Sequence, residues 1–133
     1  MTDALDDLIV DSEATADIDL LAELLKSYVR INRVGEVLFE EHYQTQSDRK
    51  KITLYLLARK VAVIKNLGEG LKEECRPKEI SEKTCIAPEN VRHYLGVELK
   101  GIVIKVKRGL YIVPNYNLLK CKALLELKTG DEK

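Results

Sequence analysis

The fold is decided by residues 76–114, which read RPKEISEKTCIAPENVRHYLGVELKGIVIKVKRGLYIVP. Pro77 and Pro88 each stand where the first position of a helix tolerates proline, because the N–H of that position has no partner inside the helix. Residues 85–87 between the two helical segments are enough only for a tight corner. The spacing therefore predicts a short helix that ends near Thr84, a three-residue turn, and a longer helix that begins at Pro88.

The longer helix is amphipathic. Val91, Leu95 and Leu99 follow one another at four-residue steps, which places them on one face of an α-helix. We expect this face to point toward the core, so that the opposite flank is exposed and able to form hydrogen bonds. The polar and charged residues left outside are Glu89, Asn90, Arg92, His93 and Lys100.

A short hairpin is predicted directly after this helix. From Ile104 to Lys107 the chain alternates apolar and basic residues, a pattern typical of a half-buried strand. The Arg-Gly pair that follows supplies a turn, and residues 110–113 form a second strand that Pro114 ends. The predicted order is therefore helix, turn, helix and hairpin.

This order, together with four motifs, resembles the winged helix-turn-helix superfamily, as found in many prokaryotic regulators and especially in those of archaeal type. The similarity covers about residues 50–114, and its motifs are PKEISEKT at 77–84, IAPENVRHYL at 86–95, LKGIV at 99–103 and RGLY at 108–111. The resemblance implies a recognition helix over residues 88–100 in the major groove of DNA and a wing over residues 102–113 on the phosphate backbone. It brings Glu89, Asn90, Arg92 and His93 nearest the bases and Arg108 into the wing.

Two features depart from the pattern of the superfamily. Ala87 and Glu89 stand where many relatives carry Ser or Thr, which removes a helix cap and adds a negative charge toward phosphate. Gly96 lies inside the predicted recognition helix, where glycine costs ~1 kcal/mol relative to alanine. We expect Gly96 to bend or shorten the helix.

The residues themselves also favour DNA as the partner. A helix fits the major groove, where Asn90 could read adenine and Arg92 could read guanine, each pair discriminating by about 1–3 kcal/mol. Lys105, Lys107 and Arg108 on and beside the hairpin could neutralise phosphates, which gives affinity and register without sequence information. His93 has two alternatives, a DNA contact or packing beside the next residue, a tyrosine.

The composition excludes several classes of protein. The chain has 133 residues, of which 45% are apolar and 33% charged, as in a single soluble globular domain rather than a fibrous or disordered chain. No apolar run approaches the ~18 residues that a membrane helix needs. The first residues are acidic, where a signal peptide would be basic and then apolar. We therefore expect a cytoplasmic protein without a membrane partner.

The residues that enzymes and metal sites need are scarce. There are two histidines, His42 and His93, and no P-loop, GxGxxG, GxSxG or HExxH motif. The three cysteines, Cys75, Cys85 and Cys121, lack metal-ligand spacing and are interpreted as buried thiols. We expect neither enzymatic activity nor a cofactor nor a metal.

The zero net charge hides an asymmetry between the two halves of the chain. Residues 1–50 carry 12 acidic and 5 basic side chains, whereas residues 51–133 carry 10 acidic and 17 basic side chains. Residues 99–122 contain no acidic residue at all, which indicates a surface that could meet a polyanion. The basic residues of this stretch are Lys100, Lys105, Lys107, Arg108, Lys120 and Lys122.

Further helices are predicted on either side of the decisive stretch. Asp17 caps a helix from Ile18 to about Ser27, and a small hairpin is favoured within residues 28–39. Ser47 caps a long helix with apolar residues from Ile52 to Leu67, which Gly68 and Gly70 end. After Pro114, Asn115 or Asn117 caps a last helix with apolar positions Leu118, Leu119, Cys121, Leu124, Leu125 and Leu127.

These predictions combine into a mainly α fold with a small β-hairpin (α+β), in which a winged helix-turn-helix core carries additional N-terminal and C-terminal helices. The predicted boundaries are an acidic segment over residues 1–46, the winged helix-turn-helix domain over 47–114, and a helix with a tail over 115–133. The apolar terminal helices have two alternatives, docking on the domain itself or forming a homodimer.

The leading functional hypothesis is a sequence-specific double-stranded DNA-binding protein that acts as a transcriptional regulator. The alternative is a winged-helix adaptor that joins a multi-subunit replication or transcription assembly through protein contacts, with the acidic N-terminal segment as one candidate partner surface. A third hypothesis is that the acidic first half competes within the molecule for the basic surface and weakens DNA binding.

Overall fold

The computed structural model describes residues 17–127, which form short helices around one long central helix, together with two small antiparallel hairpins. The α-helices are α1 (Ile18–Leu25), α2 (Glu41–Gln44), α3 (Asp48–Ile64), α4 (Pro77–Thr84), α5 (Pro88–His93) and α6 (Leu118–Glu126). A π-helical turn, Tyr94–Glu98, extends α5, and a 3₁₀ turn, Asn115–Asn117, precedes α6. The strands are β1 (Val29–Ile31), β2 (Val37–Phe39), β3 (Ile104–Lys107) and β4 (Leu110–Ile112).

The central helix is α3. The Ser47 hydroxyl accepts a hydrogen bond from the Lys50 N–H at 3.4 Å, so the predicted cap is confirmed. Every residue from Ile52 to Ala58 is buried, which means that other elements cover α3 on all sides rather than on one apolar face. The helix ends at Ile64, before the predicted stop at Gly68, because Asn66 takes the left-handed conformation with φ 54° and interrupts the helical backbone there.

The elements before α3 form much as the sequence predicts. The Asp17 carboxylate accepts a hydrogen bond from the Leu20 N–H at 3.0 Å and begins α1. The predicted small hairpin is also present, with β1 and β2 paired antiparallel in the register Val29 to Phe39. Both elements pack on α3, and their buried residues belong to the same hydrophobic cluster as the rest of the core.

Helices α4 and α5 are joined by the three residues 85–87, as predicted. Cys85 takes the left-handed conformation, with φ 63°, and ends α4. The Ser81 hydroxyl donates a hydrogen bond to the carbonyl of Ile86 at 2.5 Å, which fixes the turn from the preceding helix. One prediction is wrong here: Cys85 is exposed, because a corner residue with a left-handed backbone lies outside both helices, whereas Cys75 and Cys121 are buried.

The second hairpin is bonded to the chain that leads into α4. Strands β3 and β4 pair antiparallel, and the Tyr111 backbone of β4 exchanges two hydrogen bonds with the Cys75 backbone, at 2.9 and 3.0 Å. Cys75 directly precedes Arg76, the residue before α4. The start of α4 and the hairpin are therefore held at a fixed relative position.

Helix α6 docks on the domain itself, against α1 and α3. Leu118, Cys121, Leu124 and Leu125 are buried, but Leu119 is exposed. The predicted cap is wrong in its detail: the Asn117 side chain makes no cap hydrogen bond and donates instead to the Ile102 carbonyl at 2.8 Å. A buried amide needs a hydrogen-bond partner, and for Asn117 that partner is a carbonyl of the loop before β3.

The coarse fold class is confirmed, since the described residues form a mixed α+β structure in which helices dominate. The predicted boundaries at residues 46 and 114 stay predictions. Between residues 17 and 127 there is no helix with the length and apolar character needed to cross a bilayer.

Candidate nucleic-acid interface

The candidate interface lies on the helix formed by residues 88–98, and its position depends on which flank of this helix faces the core. Val91, Leu95 and Leu99 are 0%, 3% and 1% exposed, respectively, and belong to the hydrophobic core. The prediction that these three side chains point inward is confirmed. The flank opposite them is consequently the one that faces away from the core.

All the residues predicted to contact the bases are exposed: Glu89, Asn90, Arg92 and His93. Arg92 forms no ion pair with any residue between 17 and 127, so its guanidinium is available to an external acceptor. Glu89 lies in the first turn of α5, where a carboxylate is favoured by the helix dipole. An acidic side chain there still opposes the approach of phosphate.

His93 contacts two neighbours on its own helix. Its Nε2 lies 3.5 Å from the Glu98 carboxylate, and its ring meets the Tyr94 ring edge-on with centroids 6.1 Å apart. Of the two alternatives for His93, packing beside Tyr94 is therefore observed. A contact between His93 Nε2 and DNA would compete with this contact to Glu98.

The predicted recognition helix is shorter than residues 88–100 and changes its winding halfway. The N–H of Leu99 bonds to the carbonyl of Tyr94 at 2.7 Å, an i→i+5 bond that closes the π turn. Gly96 lies within this turn, so the helix is distorted at the residue where the sequence predicts a bend or an early end. Lys100 lies beyond the last helical residue, on the loop toward β3, and is exposed.

The wing candidate presents a basic edge. Lys105, Lys107 and Arg108 are exposed, and none of the three forms an ion pair within the described part of the chain. The register of the hairpin shifts between Lys105 and Lys107, and Gly109 closes the turn with φ +74°. The irregularity twists the strand that carries these cations.

Two further lysines of the basic stretch are partly engaged. The Lys120 ammonium donates a hydrogen bond to the Gly101 carbonyl at 3.1 Å, which brings α6 and the loop before the hairpin together. The Lys122 ammonium lies 4.0 Å from the Glu126 carboxylate on the same helix. Lys120 therefore lies next to the candidate interface, whereas the charge of Lys122 is paired locally.

The contacts that hold α4 in position were not among the features predicted from the sequence. The Arg59 guanidinium donates to the Glu79 carboxylate at 2.6 Å and to the Lys72 carbonyl at 2.6 Å, which joins α3 to α4 and to the loop before it. Lys60 is buried and donates to the Glu73 carboxylate at 2.7 Å. The sequence feature that could have indicated these contacts is the presence of basic residues in a helix that is largely buried, because a buried charge requires a partner.

Asn90 also borders a cleft beside the corner between α4 and α5, residues 85–87. The cleft has a volume of about 350 Å³ and lies between this corner and the β2–α3 segment. Its lining residues are Phe39, Tyr43, Gln44, Asp48, Lys51, Lys83, Thr84, Cys85, Ile86, Ala87 and Asn90. The sequence pattern did not predict this cleft, since its walls come from separate parts of the chain.

The described residues contain no cluster of three or more His, Cys, Asp or Glu side chains that could hold a metal ion. Burial raises the pKa of the Cys75 and Cys121 thiols to about 12, so neither supplies a thiolate near neutral pH. Comparison of the chain with known protein families, with curated proteins and with solved structures finds no match.

Proposed function

We propose that this chain binds double-stranded DNA sequence-specifically, with a winged-helix arrangement, and regulates transcription by occupying its site. In this proposal the Pro88–Glu98 helix lies in the major groove, where Asn90 and Arg92 contact base edges. The hairpin lies on the phosphate backbone as the wing. Two functions are thereby divided between two elements: the helix selects the sequence and the wing supplies affinity.

The observation that carries the proposal is the exposed polar flank of that helix, which is followed along the chain by a hairpin whose exposed cations form no ion pair within the described residues. With Val91, Leu95 and Leu99 buried, the helix can offer its polar flank without losing core contacts. A helix entering the major groove needs such a flank. The tie between Tyr111 and Cys75 supports the same proposal, because it keeps the hairpin at a fixed position relative to the start of α4.

Electrostatics support a phosphate contact at the wing. Lys105, Lys107 and Arg108 are exposed cations without a described acidic partner, so neutralising phosphates costs no existing ion pair. Each phosphate neutralised contributes about 0.9 to the slope of log affinity against log salt concentration. The chain's neutral total charge does not oppose this, since local potential decides contact.

The first experiment selects duplexes from a random pool with the purified chain and measures affinity for the selected duplex by fluorescence anisotropy at two salt concentrations. We expect Asn90→Ala and Arg92→Ala each to weaken binding to the selected duplex by about 1–3 kcal/mol and to leave binding to unrelated duplex nearly unchanged. No binding at low salt would refute the proposal.

The wing is tested by reversing two of its charges. The double variant Lys107→Glu with Arg108→Glu should weaken binding to every duplex and lower the salt slope by about 2. The matched control is Lys26→Glu with Lys65→Glu, two exposed lysines that border a separate groove between α1 and α3. An equal loss in the control would mean that net charge, not the wing, governs binding.

A second candidate function is a winged-helix adaptor in a multi-subunit replication or transcription assembly. It is favoured by exposed apolar side chains, since Val97 is 61% exposed and Leu119 is 71% exposed, and by the acidic Glu89 at the start of α5. A pull-down that yields one stoichiometric protein partner, together with DNA affinity unaffected by Asn90→Ala and Arg92→Ala, would favour the adaptor.

A further inference from the structure

The exposed flank of the helix formed by residues 88–98 carries one apolar side chain in line with polar ones. Asn90, His93 and Val97 follow one another at steps of three and four residues, which aligns them along one side of a helix. All three are exposed, and Val97 is 61% exposed. Leu95 lies two residues from both His93 and Val97 and is buried. The line of three residues, here called the outer row, therefore faces away from the core.

The π turn keeps Val97 in the outer row. In a π turn residues five apart become neighbours along the helix, and the 3.5 Å contact between His93 Nε2 and the Glu98 carboxylate has this spacing. Leu99 follows the turn and is buried, whereas Val97, two residues earlier, is exposed. Gly96 has no side chain, and nothing lies within 4 Å of the position of a Cβ atom there. A binding partner can therefore approach Val97 closely.

The chemistry of the outer row matches the major-groove edge of A·T base pairs. Adenine presents a donor and an acceptor there, which an asparagine amide can bind with two hydrogen bonds. Thymine presents the O4 acceptor and a C5-methyl group, and this methyl is the apolar group by which a base is recognised in the major groove. Asn90 supplies an amide for the first base, and Val97 supplies an apolar surface for the second.

We infer that Val97 is a specificity-determining residue that contacts the C5-methyl group of a thymine. This inference rests on the proposed function and adds to it a class of target sequence, in which one A·T pair contacts Asn90 and the thymine of another contacts Val97. The two residues are seven positions apart, about 10 Å along a helix axis. Successive base pairs are about 3.4 Å apart, so the two contacts fall on different base pairs.

A protein partner is the alternative occupant of this position. Single exposed apolar residues are common on protein surfaces, and valine is under-represented among the residues that dominate protein interfaces. The exposed neighbours of Val97 include Gly96, which has no side chain, and the paired His93 and Glu98. One isopropyl group among such neighbours fits a single methyl group better than the extended apolar centre of a protein interface.

The experiment removes the methyl group from the DNA. In the selected duplex each thymine is replaced, one at a time, by deoxyuridine, which retains the base pairing and the O4 acceptor and lacks only the C5-methyl group. Fluorescence anisotropy with the full chain gives the affinity for each duplex. We expect at least one position at which the replacement weakens binding about fourfold, as expected for one buried methyl-sized group.

The matched variants are Val97→Ala and Val34→Ala. Val97→Ala should bind the thymine duplex about fourfold more weakly than the unaltered chain and should bind the deoxyuridine form of the sensitive position equally well. Val34 lies in the turn between β1 and β2, outside the candidate interface, and is 63% exposed. Val34→Ala should therefore retain the full preference for thymine. Because both substitutions are at exposed positions, both melting temperatures should stay close to that of the unaltered chain.

The outcomes separate this inference from the proposed function. If a duplex is selected and Asn90→Ala weakens its binding, but no deoxyuridine replacement changes the affinity, the proposed function stands and the inference is wrong. The same holds if Val97→Ala retains the preference for thymine. If no duplex is bound at low salt, the proposed function fails and the inference fails with it. A protein partner that Val97→Ala no longer binds, with duplex affinity unchanged, would assign Val97 to a protein interface and overturn the inference.

Discussion

The burial of a single polar residue in this protein depends on whether its polar groups have hydrogen-bond or ion-pair partners. Lys60 and Arg59 are drawn into the interior by carboxylates of the α3–α4 loop and of α4, and Asn117 by a carbonyl of the loop before β3. Cys75 and Cys121 have no such requirement, since a neutral thiol behaves as a small apolar group. Their burial therefore contributes stability only while the thiols stay protonated.

The buried thiols predict a loss of stability at high pH. Burial raises the pKa of Cys75 and Cys121 from the ordinary 9.0 to about 12. The sign follows from linkage: the folded chain retains these protons longer than the unfolded chain, so the stability is fully present below pH 9 and is lost as the pH rises toward 12.

Each thiol should lower the free energy of unfolding by about 1.4 kcal/mol per pH unit within that window. Urea unfolding followed by circular dichroism at a series of pH values measures the slope. The variant with Cys75→Ala and Cys121→Ala should show a shallower slope, although it is less stable at pH 7. An unchanged slope would assign the alkaline loss to other groups, such as the buried Tyr55.

At the scale of elements, one glycine in the π turn and one in the second hairpin have opposite backbone requirements. Gly96, in the π turn, has an ordinary φ and nothing within 4 Å of the position of a Cβ atom, so an alanine there meets neither strain nor a clash. Gly109, in the turn between β3 and β4, is equally open but has φ +74°, a backbone conformation that residues other than glycine rarely adopt.

We expect Gly96→Ala to raise the free energy of unfolding by about 0.5–1 kcal/mol and Gly109→Ala to lower it by about 1–2 kcal/mol. The pair forms its own control, because each variant adds one methyl group to an open site. Chemical unfolding with a common denaturant slope gives both values. Destabilisation by Gly96→Ala would indicate that the π turn needs the flexibility of glycine.

The elements that the sequence predicts correctly are those with local causes. Asp17 and Ser47 cap their helices through hydrogen bonds across three residues, and Val91, Leu95 and Leu99 are buried because helical spacing alone places them together. Among the candidate interface residues, exposure follows from the same spacing, whereas the His93–Glu98 contact required the π turn, which no periodic pattern encodes.

The features that escaped prediction depend on partners distant in sequence. The Arg59–Glu79 ion pair joins residues 20 apart, and the Lys60–Asn115 hydrogen bond joins residues 55 apart. The cleft beside Cys85 likewise needs the β2–α3 segment and the corner between α4 and α5 to meet. Such contacts follow from the packing of whole elements, which hydrophobic spacing constrains only loosely.

At the scale of the whole molecule, the two ends of the described chain meet on one side of α3. Helices α1 and α6 contact each other, so the apolar faces for which a homodimer was one explanation are covered largely within the chain. Leu119 remains 71% exposed on α6, and the homodimer stays a prediction. What the terminal helices do establish is that residues before and after the candidate DNA-binding region share its core.

The unequal charge of the two halves leads to the last prediction, which rests on the proposed function. Residues 1–16, whose structure is outside the described residues, carry five acidic side chains and no basic one, so removing them changes the net charge from 0 to +5. If these carboxylates compete with DNA for the basic edge at Lys105, Lys107 and Arg108, their removal should tighten binding several-fold at low salt and have little effect at high salt, where exposed charges are screened.

Anisotropy titrations of the full chain and of the chain lacking residues 1–16, with one selected duplex at both salt concentrations, measure the difference. A chain in which Asp3, Asp6, Asp7, Asp11 and Glu13 are replaced by their amides separates charge from length: it should match the shortened chain, and affinities equal to that of the unaltered chain would exclude competition by the acidic segment.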